Sequence, residues 1–147
     1  MSAVKAEKAN AGDAEELARL EAAYIPCPWS KEQLMSALSD ERYSLFAVRV
    51  GGKAVSYGGV CFALDEAEIC NVATDEKFRG KGLAEEILSA ILSECESKGI
   101  KKVFLEVAYD NIPAKNLYAK KGFCKIAVRN NYYGLGKAAE IMRKEIR

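Results

Sequence analysis

The 147-residue sequence contains no histidine. That absence removes every Ser-His and Cys-His nucleophilic arrangement and every zinc site that uses an imidazole. Acid–base chemistry must therefore come from Glu, Asp, Tyr, Lys or Cys, and no metal is expected. Net charge is almost absent too. The 22 basic residues stand against 21 acidic ones, which gives no electrostatic grip on nucleic acid or on an anionic membrane. No apolar run is long enough to span a bilayer. The opening residues Met1-Ser2-Ala3-Val4-Lys5-Ala6-Glu7 lack the apolar stretch of a secretory leader, so a cytoplasmic location is expected. Repeats, low-complexity segments and Pro/Ser-rich linkers are missing as well. The length suits one core, and a single domain over residues 1–147 is expected.

What is present is an ordinary globular composition, half apolar and 29% charged. Five cysteines occur, Cys27, Cys61, Cys70, Cys95 and Cys124. Their number is odd, none forms a Cys-x-x-Cys pair, and most sit among apolar residues. Buried free thiols in a reducing compartment are the expectation.

The pattern along the chain changes once. A short strand is expected near Val4–Ala9, then a helix capped by Asp13 with Leu17, Leu20 and Tyr24 on its apolar face. Ile25-Pro26-Cys27-Pro28-Trp29 breaks it, and Ser30 with Gln33 three residues on forms a capping box for a second helix. Strands follow at Tyr43–Val50, Lys53–Leu64 and about Ala67–Thr74, with Gly51-Gly52 as a hairpin turn. Gly58-Gly59 inside the middle strand predicts a bulge or a tight backbone approach. Beyond this meander, Gly82–Lys98 reads as a helix ended by Gly99, and Lys102–Val107 as a buried strand. Asn111 and Pro113 open a helix ended by Gly122, and Phe123–Arg129 and Ala138–Ile146 read as two last strands. The order β-α-α-β-β-β-α-β-α-β-β predicts an α/β (α+β) fold on a mixed antiparallel and parallel sheet, with a parallel unit from Ala67 to Val107.

Chemistry concentrates in two places. Arg79-Gly80-Lys81-Gly82-Leu83-Ala84 stands between a strand and a helix. Such a turn leaves the first helical N–H groups unpaired at the positive end of the helix dipole, and its glycines allow a phosphate oxygen to reach the backbone. Read alone, it is equally a solvated basic turn that opens an amphipathic helix. Glu106 lies among Phe104, Leu105 and Val107 in a strand suited to burial, where a carboxylate is costly without a partner or a task. Read alone, a salt-bridged surface Glu accounts for it as well.

The turn resembles the Gln/Arg-x-x-Gly-x-Gly/Ala motif of the GNAT (GCN5-related N-acetyltransferase) superfamily. It follows a strand ending Asn71-Val72-Ala73-Thr74. Downstream, Asn111-Ile112-Pro113-Ala114-Lys115-Asn116-Leu117-Tyr118-Ala119-Lys120-Lys121-Gly122-Phe123 is similar to that family's Asn-x-x-Ala-x-x-Leu-Tyr-x-x-x-Gly-Phe segment. Cys27-Pro28-Trp29-Ser30, Leu105-Glu106-Val107 and Arg129-Asn130-Asn131-Tyr132-Tyr133 resemble the RimI branch, the ribosomal-protein alanine N-acetyltransferases. That branch carries Glu-Asp-Ala before its last strand, where Lys137-Ala138-Ala139 stands here.

The resemblance implies acetyl-CoA as cosubstrate and a protein N-terminal amine, on a ribosomal protein, as acceptor. It implies strands that splay around Val72–Thr74, with backbone groups of Val72, Ala73 and Thr74 on the pantetheine arm and Arg79 to Ala84 on the pyrophosphate. Asn111 gains a cofactor contact beside its capping role. Glu106 becomes the general base. Tyr118 becomes the general acid, where an isolated Tyr beside Leu117 reads as a core aromatic. Trp29, Tyr132 and Tyr133 either line the acceptor groove or are ordinary packing aromatics. Alternatives left open are a GNAT enzyme for other protein N-termini or small amines, and a non-catalytic acetyl-CoA-binding module.

Overall fold

The structure is a computed structural model that describes residues 5–132 and 136–146. Its strands are β1 (Ala6–Lys8), β2 (Tyr43–Val50), β3 (Lys53–Ala63), β4 (Glu66–Thr74), β5 (Lys102–Ala108), β6 (Cys124–Arg129) and β7 (Ala139–Glu145). The helices are α1 (Ala14–Tyr24), α2 (Lys31–Leu38), α3 (Leu83–Ser97) and α4 (Ile112–Lys120). All seven strands share one sheet in the order β1-β2-β3-β4-β5-β7-β6. Every pairing is antiparallel except β4 with β5. The expected element order and the one parallel unit are both present. The insertion of β7 between β5 and β6 is not something the linear pattern reveals.

Alternation along β5 divides the molecule into two faces. Val103, Leu105 and Val107 are buried with Ile87, Ile91 and Cys95 of α3 and Tyr118 of α4. Phe104, Glu106 and Ala108 point to the other face and stay half-buried. On that second face, α1 and α2 bring Leu17, Leu20 and Leu34 onto Leu45, Ala47, Tyr57 and Ala73 of β2, β3 and β4. They leave the β5, β7 and β6 portion open. Each fully buried Leu or Ile contributes about 1.5–3 kcal/mol, so α3, with Ile87, Leu88 and Ile91 almost wholly enclosed, is firmly seated.

Local chemistry explains the ends of these elements. Ser30 and Gln33 form the expected capping box on α2. After α3, Gly99 takes a φ of 73°, and Ile100 N–H bonds to Cys95 C=O while Gly99 N–H bonds to Glu96 C=O. This is a Schellman ending. Asn111 accepts a bond from Ala114 N–H, as a cap should.

Three expectations need correction. Asp13 precedes α1 but makes no side-chain cap; its carboxylate accepts from Asn10 N–H and binds Arg49, Oδ2 lying 2.6 Å from Nη2. Asn10 supplies the cap instead, to a 3-10 turn at Ala11–Asp13. The cysteines are free, yet only Cys95 is buried, and Cys27 and Cys124 are exposed. Cys27 lies in the exposed Pro26–Pro28 turn, and Cys124 opens the exposed strand β6. The hairpin after β3 turns at Leu64, with φ 58°, so Leu64 is fully exposed and Glu66 already belongs to β4.

The glycine pair in β3 serves the second of its two expected purposes, the close backbone approach. A Cβ on Gly58 would lie 2.5 Å from Ile87 Cγ2, so the strand and α3 approach too closely for any other residue. The register slips beside it, from Gly58 opposite Val72 to Val60 opposite Ile69. The extra residue of this bulge lies in β4, at Cys70-Asn71, and not in the glycine strand.

Candidate active site

Strands β4 and β5 pair only at Glu66–Lys102, Ala67–Val103 and Glu68–Phe104. Past that point β4 runs on to Thr74 and β5 to Ala108 with no ladder between them. The bulge turns β4 away, since a bulge bends its strand and increases the local twist. The result is a cleft through the sheet. Val72, Ala73 and Thr74 line one side of it, held from behind by β3 through Gly58, Tyr57 and Ser56. Thr74 is fixed further by a 2.8 Å hydroxyl contact with Ser56. Unpaired strand edges inside a protein need donors and acceptors from elsewhere, which suits an extended amide-bearing arm.

The predicted phosphate turn lies at the end of this cleft. Gly80 and Gly82 take φ of 77° and 79°, and a Cβ on either would meet nothing within 4 Å. Gly82 is the N-cap of α3 and offers no side-chain cap, so the first N–H groups of a 15-residue helix face open space. Leu83 itself is buried in the core, which leaves only its backbone for a ligand. Ala84 is half-buried in the same turn. The two basic side chains are already engaged. Arg79 Nε donates to Thr74 C=O at 3.2 Å and lies over the Tyr24 ring. Lys81 Nζ lies 5.6 Å from the Phe78 ring centroid. Glu85, whose charge would oppose a phosphate, is drawn aside by Lys120 and Lys121 at 3.2 and 3.0 Å, and these lysines hold its carboxyl below the usual range.

On the open face, Glu106 occupies the floor beside the cleft. Its Oε1 lies 3.2 Å from Arg129 Nη1. Its Oε2 is buried without a hydrogen-bond partner among the described residues, a costly state for a carboxylate oxygen. Arg129 in turn lies over the Tyr132 ring, 5.1 Å from its centroid. The bond from the Tyr132 hydroxyl to the Glu106 carboxylate, followed by desolvation, raises that phenol above its ordinary value. Arg129 appears in the sequence only as the first residue of the Arg129–Tyr133 segment, and its contact with Glu106 adds it to the candidate site. Tyr133 lies outside the described residues. Trp29 packs edge-on against Tyr43, with centroids 6.1 Å apart, and joins the α1–α2 cluster.

Tyr118 is buried on the opposite face from Glu106, against Phe123 at 5.9 Å. The structure therefore separates the two residues by the thickness of the sheet, and the cleft is the passage between their faces. Asn111 opens the same helix at the end of β5. Two of the thiols are poor nucleophiles at neutral pH: burial pushes Cys95 up to about 11 and Cys70 up to about 12. A surface hollow at the other end of β5, lined by Glu96, Gly99, Ile100 and Lys102, contains none of these residues. Among the described residues no His, Cys, Asp or Glu cluster could hold a metal ion, and no helix is long and apolar enough to cross a membrane.

A mixed sheet parted at one parallel pair, with an uncapped helix N-terminus at its mouth, is the architecture of the GNAT acetyltransferases. The model of the Acetyltransferase (GNAT) family matches residues 13–123, and the chain belongs to this family. It is an N-acetyltransferase whose acetyl donor is acetyl-CoA. The similar curated proteins include the [ribosomal protein bS18]-alanine N-acetyltransferase of Escherichia coli strain K12, 34% identical over 106 residues, covering 72% of this chain and 71% of that protein. The protein of the same name from Haemophilus ducreyi is 31% identical over 121 residues, covering 82% and 83%. Among solved structures, the ribosomal-protein-S18-alanine N-acetyltransferase from Escherichia coli superposes with a TM-score of 0.88 at 28% identity, over 98% of this chain and 94% of that one.

Proposed function

We propose that this chain transfers the acetyl group of acetyl-CoA to the N-terminal amine of a protein beginning with alanine, the ribosomal protein bS18, in the cytoplasm. The observation that carries the reading is Glu106: a carboxylate with one buried, unpartnered oxygen on the open face, next to the cleft. The relatives that share this fold at 31–34% identity are named for that acceptor.

In this reading, the pantetheine arm lies along Val72, Ala73 and Thr74, and the pyrophosphate meets the backbone of Arg79, Gly80, Lys81, Gly82, Leu83 and Ala84. Asn111 borders the arm. The acceptor nitrogen attacks the thioester carbonyl, a C–N bond forms and the C–S bond breaks. Glu106 removes a proton from the amine, directly or through water. The Tyr118 hydroxyl donates a proton to the departing sulfur from the other face. An α-amine, with a reference pKa of about 7.7–8.0, needs far less help than a lysine at about 10.4, so one carboxylate suffices.

A second reading keeps the chemistry and changes the acceptor. Lys137-Ala138 stands where the RimI branch carries an acidic pair, which favours a different N-terminal sequence. The test is mass spectrometry of peptides incubated with the purified chain and acetyl-CoA. The expected product is a single acetyl group on the α-amine of the bS18 N-terminal peptide. Modification of other N-termini in preference to it would move the assignment to the second reading. Lysine-only modification would reject both.

A further inference from the structure

On the sheet face that carries Glu106, a second carboxylate is fully enclosed and has no part in the proton transfers above. Glu21 of α1 is completely buried. Its Oε1 accepts from Trp29 N–H at 2.8 Å. Its Oε2 accepts from Asn71 Nδ2 at 2.7 Å and from the Tyr57 hydroxyl. Burial, then the charge of Glu21, drives the Tyr57 phenol far upward, so Tyr57 remains a donor. The two nitrogen donors belong to irregular segments. Trp29 closes the α1–α2 connection, where Ile25 to Trp29 run without helix or strand, and Asn71 sits in the β4 bulge that opens the cleft.

A carboxylate so placed is a poor device for stability alone. Burying the charge is costly even with three donors, and apolar residues of similar volume usually hold an interior as well or better. What the carboxylate supplies that a leucine does not is direction. It fixes two segments without regular pairing, the α1–α2 connection and the β4 bulge, at set distances from one point. We infer that Glu21 is a positioning residue for the acceptor. By anchoring Trp29 N–H and Asn71 to one buried carboxylate, it holds the α1–α2 connection against the β4 bulge, on the sheet face that carries Glu106. The inference rests on the proposed reading that the acceptor lies on this face. It assigns Glu21 no role in the binding of acetyl-CoA, whose turn lies at the N-terminus of α3.

The test uses the full chain as Glu21→Ala and Glu21→Gln. Ala removes both oxygens. Gln retains one carbonyl oxygen for Trp29 N–H, and its amide can donate to the Tyr57 hydroxyl and, once the Asn71 amide turns over, to the Asn71 carbonyl oxygen. Initial rates are measured with an alanine-starting peptide and acetyl-CoA varied separately. Calorimetry gives the acetyl-CoA Kd, and amide hydrogen exchange is followed over residues 25–30. Glu21→Ala is expected to raise the acceptor KM about tenfold or more and leave the acetyl-CoA Kd within about twofold, with faster exchange at 25–30. Glu21→Gln is expected to return the acceptor KM to within about threefold of wild type.

A merely structural role lowers kcat with the folded fraction and leaves the acceptor KM unchanged, and that outcome overturns the inference. Should Glu21→Ala not fold, Asn71→Ala takes its place: it removes one donor from the half-buried side, and an unaltered acceptor KM there overturns the inference equally. If the wild-type chain does not modify the peptide, the acceptor reading has failed. Glu21 is then judged by exchange: acceleration confined to 25–30 with an unchanged acetyl-CoA Kd supports it, and unchanged exchange rejects it.

Discussion

The guanidinium of Arg79 lies over the ring of Tyr24, 4.7 Å from its centroid, and the Tyr24 hydroxyl accepts Glu76 N–H at 3.0 Å. One aromatic side chain at the end of α1 thus clasps the turn before α3 from two directions. Tyr24→Leu keeps an apolar body but loses both contacts. A cation–π contact at an exposed site contributes about 0.5–1 kcal/mol, so coenzyme A affinity should weaken by about two- to fivefold. Isothermal titration of coenzyme A measures this. Unchanged affinity would mean that the turn holds its shape without Tyr24.

Glu106→Gln removes the proposed base and preserves its size. Activity should fall most near neutral pH and recover in part toward pH 9, because an acceptor with a pKa of about 7.7–8.0 becomes neutral by itself. The measurement is kcat/KM against pH for wild type and variant, with thermal unfolding in parallel. Parallel profiles would return Glu106 to the role of a salt-bridged surface residue.

Tyr118→Phe should lower kcat by about 10²–10⁴-fold, the usual contribution of a positioned acid, and leave acetyl-CoA binding intact. The ring against Phe123 is preserved, so a Tm loss beyond a few degrees would indicate that the hydroxyl serves packing.

Gly58→Ala should destabilise the fold by about 1–3 kcal/mol through overpacking. The added methyl would meet Ile87 Cγ2 at 2.5 Å and Ile91 Cδ1 at 3.3 Å. Neither belongs to a long flexible side chain that can swing aside. Urea unfolding gives the change, and wild-type stability would show that α3 shifts freely.

The Asp13–Arg49 pair gives a pH signature. The Arg49 guanidinium holds the Asp13 carboxyl below its ordinary 3.8. A depressed carboxyl contributes stability that is fully present above 3.8 and lost as pH falls through the depressed value. Asp13→Asn should therefore lower stability by about 1–3 kcal/mol at neutral pH. The two unfolding curves should converge in strong acid. A constant gap down to the lowest pH would rule out the ion pair as the source.

Much of this molecule was legible in the sequence because local rules and tertiary structure agree there. Ser30 with Gln33, Gly51-Gly52, Gly99 and Asn111 with Pro113 each mark an element boundary by backbone chemistry alone. The cleft was legible only through resemblance, since no residue between Ile69 and Thr74 announces that its strand has lost a neighbour. The pairing of Arg129 with Glu106 was not legible because the two lie on strands two places apart in the sheet. Glu21 left a trace: it falls on the same helical stripe as Leu17 and Tyr24, where a charge is out of place. Asp13 misled because an acid before a helix is a common cap, and here a distant arginine outcompetes that role.

The parting of β4 from β5 also bears on the order of events. A sheet parted in this way opens to both faces, the one that carries α3 and α4 and the one that carries α1 and α2. On the proposed reading, a donor seated from the first face leaves the second clear, so neither substrate must depart before the other arrives. No acetyl group has to be parked on the protein between two visits, and the raised thiols of Cys70 and Cys95 would be poor places to park one. Kinetically, double-reciprocal plots at several fixed acetyl-CoA concentrations should intersect, as they do when both reactants are aboard together, and should not run parallel.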